Sequence, residues 1–232
     1  MTLRDAWEAE ASNWAAWARR NHHDSYHKFH RDAFLELLPP PGRRTLDVGC
    51  GEGRLSRDLT ALGHRVAAVD AAPSMLRHAR EADPQGEYHL ASSAELPFAD
   101  GSFDLVIAFM SLQDMDDPEG AAREAWRVLE PGGRFCLALV HPINSAGKFE
   151  SDDPDAAFVL RDSYFEQRRY VDVLERDGLT MTFTSDHRSL QGWLRPVTDS
   201  GFLVELVREI NAPENPRWSR IPYFLHVRAV KP

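Results

Sequence analysis

Hydrophobic and polar positions over the first 140 residues alternate between two patterns. Short apolar runs indicate buried strands, whereas apolar residues spaced three or four apart indicate helices. The predicted strands cover 44–48, 65–69, 87–91, 103–109 and 134–140. The predicted helices cover 6–19, 25–38, 55–62, 74–82 and 119–129. Apolar strands separated by helices are typical of a parallel sheet covered on both faces, so the pattern predicts a doubly wound α/β domain.

The pattern changes after residue 141. Residues 142–190 are polar and irregular, except for an alternating stretch over 170–185 that turns at Arg176-Asp-Gly178 and predicts a hairpin. A further helix is predicted over 190–200, and strands over 202–210 and 223–230 complete a mostly parallel sheet of seven strands. We therefore predict a single domain in four parts: an N-terminal helical cap (1–40), a core (41–141), a lid inserted after the fifth strand (142–190), and a C-terminal helix with the last two strands (191–232).

Composition limits the possible partners. The 232 residues include 27 basic and 36 acidic side chains, and the resulting charge of −9 disfavours nucleic acid and anionic membranes as partners. No apolar run approaches the ~20 residues of a membrane helix, and the first 20 residues lack the apolar centre of a signal peptide. Two cysteines, Cys50 and Cys136, are too few for a disulfide scaffold. These features predict a cytoplasmic protein with no membrane contact.

A glycine-rich turn follows the first predicted strand. Glycines at 49, 51 and 53 allow a sharp turn into the next helix and a close approach of the backbone to a ligand. In an open α/β sheet this turn lies at the carboxyl edge, where ligands bind. Asp70 ends the second strand, about 20 residues further on, where a carboxylate can bind both hydroxyls of a ribose. The turn and Asp70 together predict a nucleoside-binding site.

The spacing within the turn narrows the ligand. It is Gly-x-Gly-x-Gly and not the Gly-x-Gly-x-x-Gly of dinucleotide folds, Asp47 lies two residues before the first glycine, and no basic side chain within the turn is placed to hold a pyrophosphate. We therefore expect a ligand with an adenosine and no diphosphate. A Rossmann-like domain for another nucleotide, or for none, is the alternative.

Four segments, in order, resemble the motifs of the class I S-adenosylmethionine-dependent methyltransferases, in their type 11 branch of small-molecule enzymes. The resemblance covers most of the first 140 residues and implies a Rossmann-like methyltransferase fold. The segments are Leu46–Arg54, Val66–Met75, Ser93–Val106 and Arg127–Gly133.

The resemblance also implies roles for individual residues around S-adenosylmethionine and its product S-adenosylhomocysteine. The turn residues Gly49, Cys50 and Gly51 are expected to pass under the methionine part, with Asp47 fixing the turn and the amino group. Asp70 is expected to bind the ribose. The residues expected near the adenine or in the cofactor cavity are Ala71, Met75, Ser93, Ala94 and Phe109.

The segment after the fourth strand departs from the family pattern. The family often has Asp-Ala where this chain has Ser93-Ala94, which shifts the expected adenine contact toward the backbone of Ala94. It often has a histidine pair where this chain has Gln113-Asp114, which removes an imidazole base from that position. Met110 and Gln113 are nevertheless expected to face the acceptor.

Candidate acceptor residues are spread over the chain. His141 directly follows the fifth strand and is the candidate base or acceptor contact; the alternative is that it fixes the turn before Pro142. Arg188 could bind an acidic acceptor or form a surface salt bridge. The remaining candidates are Tyr26, Tyr164, His187 and Tyr223.

Histidines 22, 23, 27 and 30 are close enough in sequence for a metal site, but no cysteine lies nearby and we predict no metal. The sequence therefore predicts an enzyme that transfers a methyl group to oxygen or nitrogen of a small molecule, as a monomer or homodimer. The alternatives are a cofactor-binding protein without transfer activity, a nucleic-acid methyltransferase and a nicotinamide-dependent enzyme.

Overall fold

A computed structural model describes residues 1–20 and 23–232 of the chain. The helices are α1 (Leu3–Ala18), α2 (Arg31–Leu35), α3 (Arg54–Ala61), α4 (Pro73–Ala82), α5 (Pro118–Val128), α6 (Pro142–Ala146) and α7 (Leu190–Asp199). The strands are β1 (Thr45–Val48), β2 (Val66–Asp70), β3 (Glu87–Leu90), β4 (Phe103–Phe109), β5 (Leu129–Val140), β6 (Gly147–Phe149), β7 (Phe158–Leu160), β8 (Arg168–Arg176), β9 (Leu179–His187), β10 (Leu203–Ile210) and β11 (Phe224–Val230).

Seven of these strands form one sheet in the order β10-β11-β5-β4-β1-β2-β3. The neighbours from β5 to β3 run parallel, and β11 runs antiparallel to both β5 and β10. The predicted mostly parallel, seven-stranded, doubly wound sheet is therefore confirmed. The strand order reverses at β1, which has β2 on one side and β4 on the other. This reversal opens a crevice between β1 and β4 at the carboxyl edge of the sheet.

The central strands are largely apolar because helices cover both faces of the sheet. One buried cluster contains Leu46, Val106 and Trp193, and a second contains Phe34, Leu59 and Ile107 on the other face. Alternate residues of β4, such as Val106 and Ile107, thus enter different clusters, as the two-residue period of a strand requires.

Two predicted elements differ from the structure. Residues Tyr26–His30, expected to be α-helical, form a π-helix that leads directly into α2. Strand β5 begins at Leu129, although Pro131-Gly-Gly133 was expected to separate α5 from a strand at 134. The early start has a physical cause: Gly132 N–H donates to Lys231 O, and Lys231 N–H donates to Gly133 O, so this stretch is paired beyond the end of β11.

Residues 142–190 are more regular than expected. The predicted hairpin is confirmed: β8 and β9 pair from Arg168 with His187 to Arg176 with Leu179, and Asp177 and Gly178 both have positive φ, as a tight two-residue turn requires. The stretch before it, expected to be irregular, contains α6 and the two-stranded β6–β7 pair. Helix α1 packs against β9 and α4.

Candidate functional site

The turn after β1 requires glycine for two reasons, its backbone conformation and a close contact with a neighbouring residue. Gly49, Gly51 and Gly53 all have positive φ, of 74°, 57° and 80°. A Cβ on Gly49 would lie 2.5 Å from the Cβ of Ser111, which follows β4. The N–H groups of Gly49 and Cys50 donate to Val69 O at 2.8 and 3.0 Å. The turn is therefore held between the ends of β2 and β4, with its peptide groups at the crevice.

Asp70, the last residue of β2, is bonded to this turn. One carboxylate oxygen accepts from Gly51 N–H at 2.8 Å, and the other accepts from Ala72 N–H at 2.9 Å. Burial raises the pKa of Asp70, although these backbone hydrogen bonds oppose the rise. Each carboxylate oxygen can still accept a second hydrogen bond. Asp70 thus joins the first and second strand ends and retains capacity for a ligand.

Asp47 lies below the turn and is 2% exposed. Its carboxylate accepts a hydrogen bond from Ser56 Oγ at 2.6 Å, which ties β1 to α3. Burial raises the pKa of Asp47 to about 6; the Ser56 hydrogen bond opposes this and the charge of Asp70 adds to it. Asp47 therefore stabilises the turn by joining the strand before it to the helix after it.

A cleft of about 1380 Å³ lies over the carboxyl edge of the sheet. The predicted cofactor residues that line it are Asp47, Gly49, Cys50, Gly51, Asp70, Ala71, Met75, Ser93 and Phe109. Ala94 does not line it: a Cβ on Gly120 would lie 2.6 Å from the Ala94 Cβ, so that side chain faces α5. The cleft thus brings together nearly all of the predicted cofactor set.

An aromatic cluster from outside the core covers part of this cleft. Trp7 and Trp14 of α1 and Phe183 of β9 make mutual edge-on contacts, with ring centroids 5.9–6.3 Å apart, and all three line the cleft. A Cβ on Gly51 would approach Trp14 Nε1 to 3.3 Å, so α1 lies directly against the glycine turn. The sequence predicted the helix over 6–19, but the place of its tryptophans at the cleft depends on a hairpin that is distant in sequence.

The segment after β4 forms the floor of the cleft between the glycine turn and the aromatic cluster. Met110 has a φ of 54°, an uncommon backbone conformation for a side chain other than glycine. Gln113 is 4% exposed and lines the cleft. Its Nε2 donates to Met110 O at 3.0 Å, whereas its Oε1 is buried and has no hydrogen-bond partner in the described residues. Both residues lie where the sequence placed acceptor contacts.

Asp114 is a cleft residue that sequence reasoning did not select. Its Oδ1 accepts from Ser185 Oγ of β9 at 2.5 Å, and its Oδ2 lies 3.5 Å from Gln113 Nε2. Burial raises the pKa of Asp114 well above its usual value, although the Ser185 and Gln113 hydrogen bonds oppose the rise. The available signal was its place in the Gln113-Asp114 pair, where the family often has histidines.

His141 does not line the cleft. It caps α6: its Nδ1 accepts from Ile143 N–H at 3.1 Å, and its Nε2 lies 3.0 Å from the Glu209 carboxylate. Burial lowers its pKa, and Glu209 opposes this effect. These contacts support the alternative in which His141 fixes the turn before Pro142, and they do not support a role as base or acceptor contact.

Three other acceptor candidates lie outside the cleft lining. His187 is fully buried, with Nδ1 2.7 Å from Ser145 Oγ and Nε2 3.0 Å from Tyr164 O. The Tyr164 hydroxyl accepts from Leu190 N–H at 2.9 Å. Arg188 pairs with Glu119, as its alternative interpretation predicted. These side chains connect the lid to α5 and α7.

The two remaining candidates differ. Tyr223 lines the cleft and packs against Trp218, with ring centroids 4.7 Å apart. Tyr26 is buried outside the lining, where its hydroxyl donates to Asp58 at 2.9 Å and the Arg54 guanidinium lies 4.1 Å from its ring centroid. Tyr26 therefore joins the π-helix to α3.

The N-terminal histidines have separate contacts. His22 lies outside the described residues. His23 Nε2 lies 2.9 Å from Asp177 at the hairpin tip, and the Nε2 atoms of His30 and His226 are 2.9 Å apart. Across the described part of the chain, no group of three or more histidine, cysteine, aspartate or glutamate side chains could hold a metal ion.

Of the helices in residues 1–20 and 23–232, none has the length and apolar content needed to cross a bilayer.

Comparisons with known proteins agree with this geometry. Residues 46–137 match the family model of a methyltransferase domain. A ubiquinone biosynthesis O-methyltransferase of Xanthomonas axonopodis pv. citri is 37% identical over 114 residues, which cover 47% of this chain and 48% of that protein. An uncharacterized methyltransferase of Synechocystis is 34% identical over 116 residues, or 49% of this chain and 55% of that protein. The chain thus spans about half the length of the curated relatives it matches.

The likeness extends further in three dimensions. The crystal structure of an S-adenosylmethionine-dependent methyltransferase from Mesorhizobium loti superposes with a TM-score of 0.72 at 27% identity, over 86% of this chain and 96% of that one. The matched segment contains the glycine turn, Asp70 and the whole of β4. Residues 46–137 are thus similar to a methyltransferase domain, and the chain as a whole is similar in structure to an S-adenosylmethionine-dependent methyltransferase.

Proposed function

We propose that this protein transfers a methyl group from S-adenosylmethionine to an oxygen or nitrogen of a small organic molecule. The observation that carries the proposal is the Asp70 carboxylate, hydrogen-bonded to the glycine turn at the strand-order reversal and open to a cleft of about 1380 Å³. Small-molecule sites commonly occupy about 300–1,000 Å³, so this cleft has room for a cofactor and an acceptor together.

The residues of the cleft suit this cofactor. Asp70 can accept hydrogen bonds from both ribose hydroxyls, while Gly49 and Gly51 present backbone without side chains. Met75 and Ser93 line the same cleft beyond Asp70, where the adenine is expected. When bound, S-adenosylmethionine supplies a methyl group activated by its sulfonium charge.

The chain's own task is then to hold and enclose the acceptor. In-line displacement requires a nucleophile about 3 Å from the methyl carbon and aligned with the leaving sulfur. Met110, Gln113 and Tyr223 line the cleft beside the cofactor residues and can position that nucleophile. Helix α1 and the β8–β9 hairpin cover the site and exclude water through Trp7, Trp14 and Phe183.

We further infer that the acceptor is not a nucleic acid and that the protein works in the cytoplasm as a monomer or homodimer. The overall charge of −9 opposes a polyanionic acceptor. Both cysteines are buried and free, which suits a reducing compartment. Light scattering on the purified protein measures the oligomeric state.

Calorimetric titration with S-adenosylmethionine, S-adenosylhomocysteine and NAD tests the proposal first. We expect micromolar binding of the two sulfur compounds and none of NAD; binding of NAD alone would point to a nicotinamide-dependent enzyme. Transfer is then measured by mass spectrometry with a panel of small hydroxyl and amine acceptors. Tight cofactor binding without transfer to any acceptor would favour a cofactor-binding protein that lacks transfer activity.

A further inference from the structure

Two hydrogen-bond acceptors lie side by side at the cleft and are not used by the cofactor assignments above. The first is Gln113 Oε1, which is buried and has no partner among the described residues. The second is the Asp114 carboxylate, of which Oδ1 already accepts from Ser185, while Oδ2 lies 3.5 Å from Gln113 Nε2 and the Trp7 side chain is close to the carboxylate. Both residues line the cleft.

The orientation of the Gln113 amide is determined by its neighbours. Its Nε2 donates to Met110 O at 3.0 Å, and a flipped amide would place two oxygens against each other there. Oε1 must therefore be the free atom. An unpartnered buried acceptor costs about 1–3 kcal/mol in general, so its retention at a cleft points to a ligand that donates to it.

The two acceptors determine how many hydrogen bonds the ligand must donate. A neutral primary amine, or the ammonium form of a primary or secondary amine, can donate at least two hydrogen bonds, whereas a hydroxyl can donate only one. A hydroxyl acceptor would therefore leave either Gln113 Oε1 or Asp114 unsatisfied. A nitrogen that carries two or three hydrogens satisfies both.

The electrostatic surroundings of Asp114 favour a cation. The groups that face it are Trp7 of α1, Tyr170 of β8, and Ser185 and Asp186 of β9. No ion pair to Asp114 is found within residues 1–20 and 23–232, and the nearby charge of Asp186 adds to the burial that raises the pKa of Asp114. A ligand ammonium group would supply the missing opposite charge.

The walls around these acceptors are aromatic. Trp7 and Phe183, with ring centroids 6.3 Å apart, line the same cleft, as does Tyr170, whose register partner in the hairpin is Ser185. Aromatic faces attract both apolar groups and cations.

Resting on the proposed methyl transfer, we propose that the acceptor is a primary or secondary amine on an apolar body, with its nitrogen held by Gln113 Oε1 and the Asp114 carboxylate. The bound ammonium gives one proton to Asp114. The freed lone pair of the nitrogen then forms the bond to the methyl carbon, while the electron pair of the broken carbon–sulfur bond goes to sulfur. The product leaves as a methylated ammonium, and Asp114 returns its proton to water.

Matched amine and alcohol probes test this assignment. Protein saturated with S-adenosylhomocysteine is titrated with 2-phenylethylamine and 2-phenylethanol, and with the larger pair tryptamine and tryptophol. Binding of S-adenosylhomocysteine, measured first, reports on the proposed function; its absence would defeat that function before the amine question arises. We expect at least one amine to bind tenfold or more tightly than its alcohol.

Two variants locate the effect. Asp114→Asn keeps an oxygen for Ser185 and removes the charge, so we expect the preferred amine to bind at least tenfold more weakly while its alcohol and S-adenosylhomocysteine bind as before. Asp162→Asn makes the same charge change at an exposed rim position of the cleft and should keep the amine preference.

The proposal is overturned if, with S-adenosylhomocysteine bound, the alcohols bind as tightly as the amines or neither amine binds. It is equally overturned if Asp114→Asn leaves the preference intact. With S-adenosylmethionine and the preferred amine, mass spectrometry should find N-methylation, and Asp114→Asn should reduce its rate at least tenfold.

Discussion

The two halves of the cleft differ in the kind of group that lines them. The half to which we assign the cofactor, here called the cofactor half, consists of backbone turns and carboxylates at the ends of β1, β2 and β4, each tied to its neighbour by hydrogen bonds such as that from Gly51 to Asp70. The half to which we assign the acceptor, here called the acceptor half, consists of side chains from α1, the β8–β9 hairpin and the segment 110–114. A ligand shared by a whole family can be bound by a common backbone, whereas an individual acceptor requires side chains that vary.

Gly49→Ala should break the cofactor half most severely. The new methyl group would meet Ser111 at 2.5 Å in a residue with φ of 74°. A positive φ costs about 1–2 kcal/mol and overpacking about 1–3 kcal/mol, so we expect a loss of about 2–5 kcal/mol in the free energy of unfolding. Urea denaturation measures it.

Gly178→Ala is the matched control, because Gly178 has the same φ of 74° at the hairpin tip and a Cβ there meets nothing within 4 Å. In Gly178→Ala the free energy of unfolding should fall only by the cost of the positive φ, about 1–2 kcal/mol. Equal losses in both variants would contradict the close contact at the glycine turn.

Asp70→Ala should separate cofactor affinity from the acceptor half. Loss of the ribose contacts and of the bonds that hold the turn should weaken S-adenosylmethionine binding by about 2–4 kcal/mol. Calorimetry measures the change. The control is Glu81→Ala, an exposed carboxylate on α4 that should bind the cofactor normally. Unchanged affinity in Asp70→Ala would refute the ribose assignment.

The sequence determines the cofactor half well because its signals are local. The spacing of the glycines and the apolar run of β4 refer to neighbours within a few residues, and Asp70 ends the strand that directly follows the glycine turn and its helix. The acceptor half depends on contacts such as Ser185 with Asp114, which are 71 residues apart. No periodicity reports such a contact. For the same reason His141 could be placed at the sheet edge, but its partner Glu209, on a distant strand, could not be foreseen.

The buried histidine pair at the join between the N-terminal segment and the sheet should make stability depend on pH. Burial lowers the pKa of His30 well below its usual value and that of His226 to about 3. Below about pH 6.5 these histidines are protonated in the unfolded chain but remain neutral in the folded chain. The free energy of unfolding therefore falls as the pH falls from 6.5 toward 3.

His226→Gln removes one of these groups. Between pH 6 and pH 4 wild type should lose about 1.4 kcal/mol per pH unit more than this variant, as measured by urea denaturation at each pH. Parallel curves for wild type and His226→Gln would mean that the buried pair is protonated in the folded protein.

Asp177→Ala should produce the smallest effect and confine it to the acceptor half. Asp177 is 68% exposed where it meets His23, so we expect less than about 1 kcal/mol of global stability from the pair. Faster hydrogen exchange is expected in β8 and β9, with unchanged exchange in β1 and β4. Glu175→Ala, exposed on the same hairpin, should leave exchange unaltered. Faster exchange across the central sheet would show that the hairpin and the core open together.

The position of β11 has a consequence for synthesis on the ribosome. This strand joins the sheet between β5 and β10, and β10 reaches the sheet only through it. A nascent chain that has emerged as far as β10 therefore exposes the unpaired edge of β5 and a strand with no place to pair. Release of such a chain before Phe224 would present two open edges to other chains, so we expect prematurely terminated products to aggregate. Strand β10 therefore joins the sheet only after β11, the strand that follows it in the sequence, has emerged.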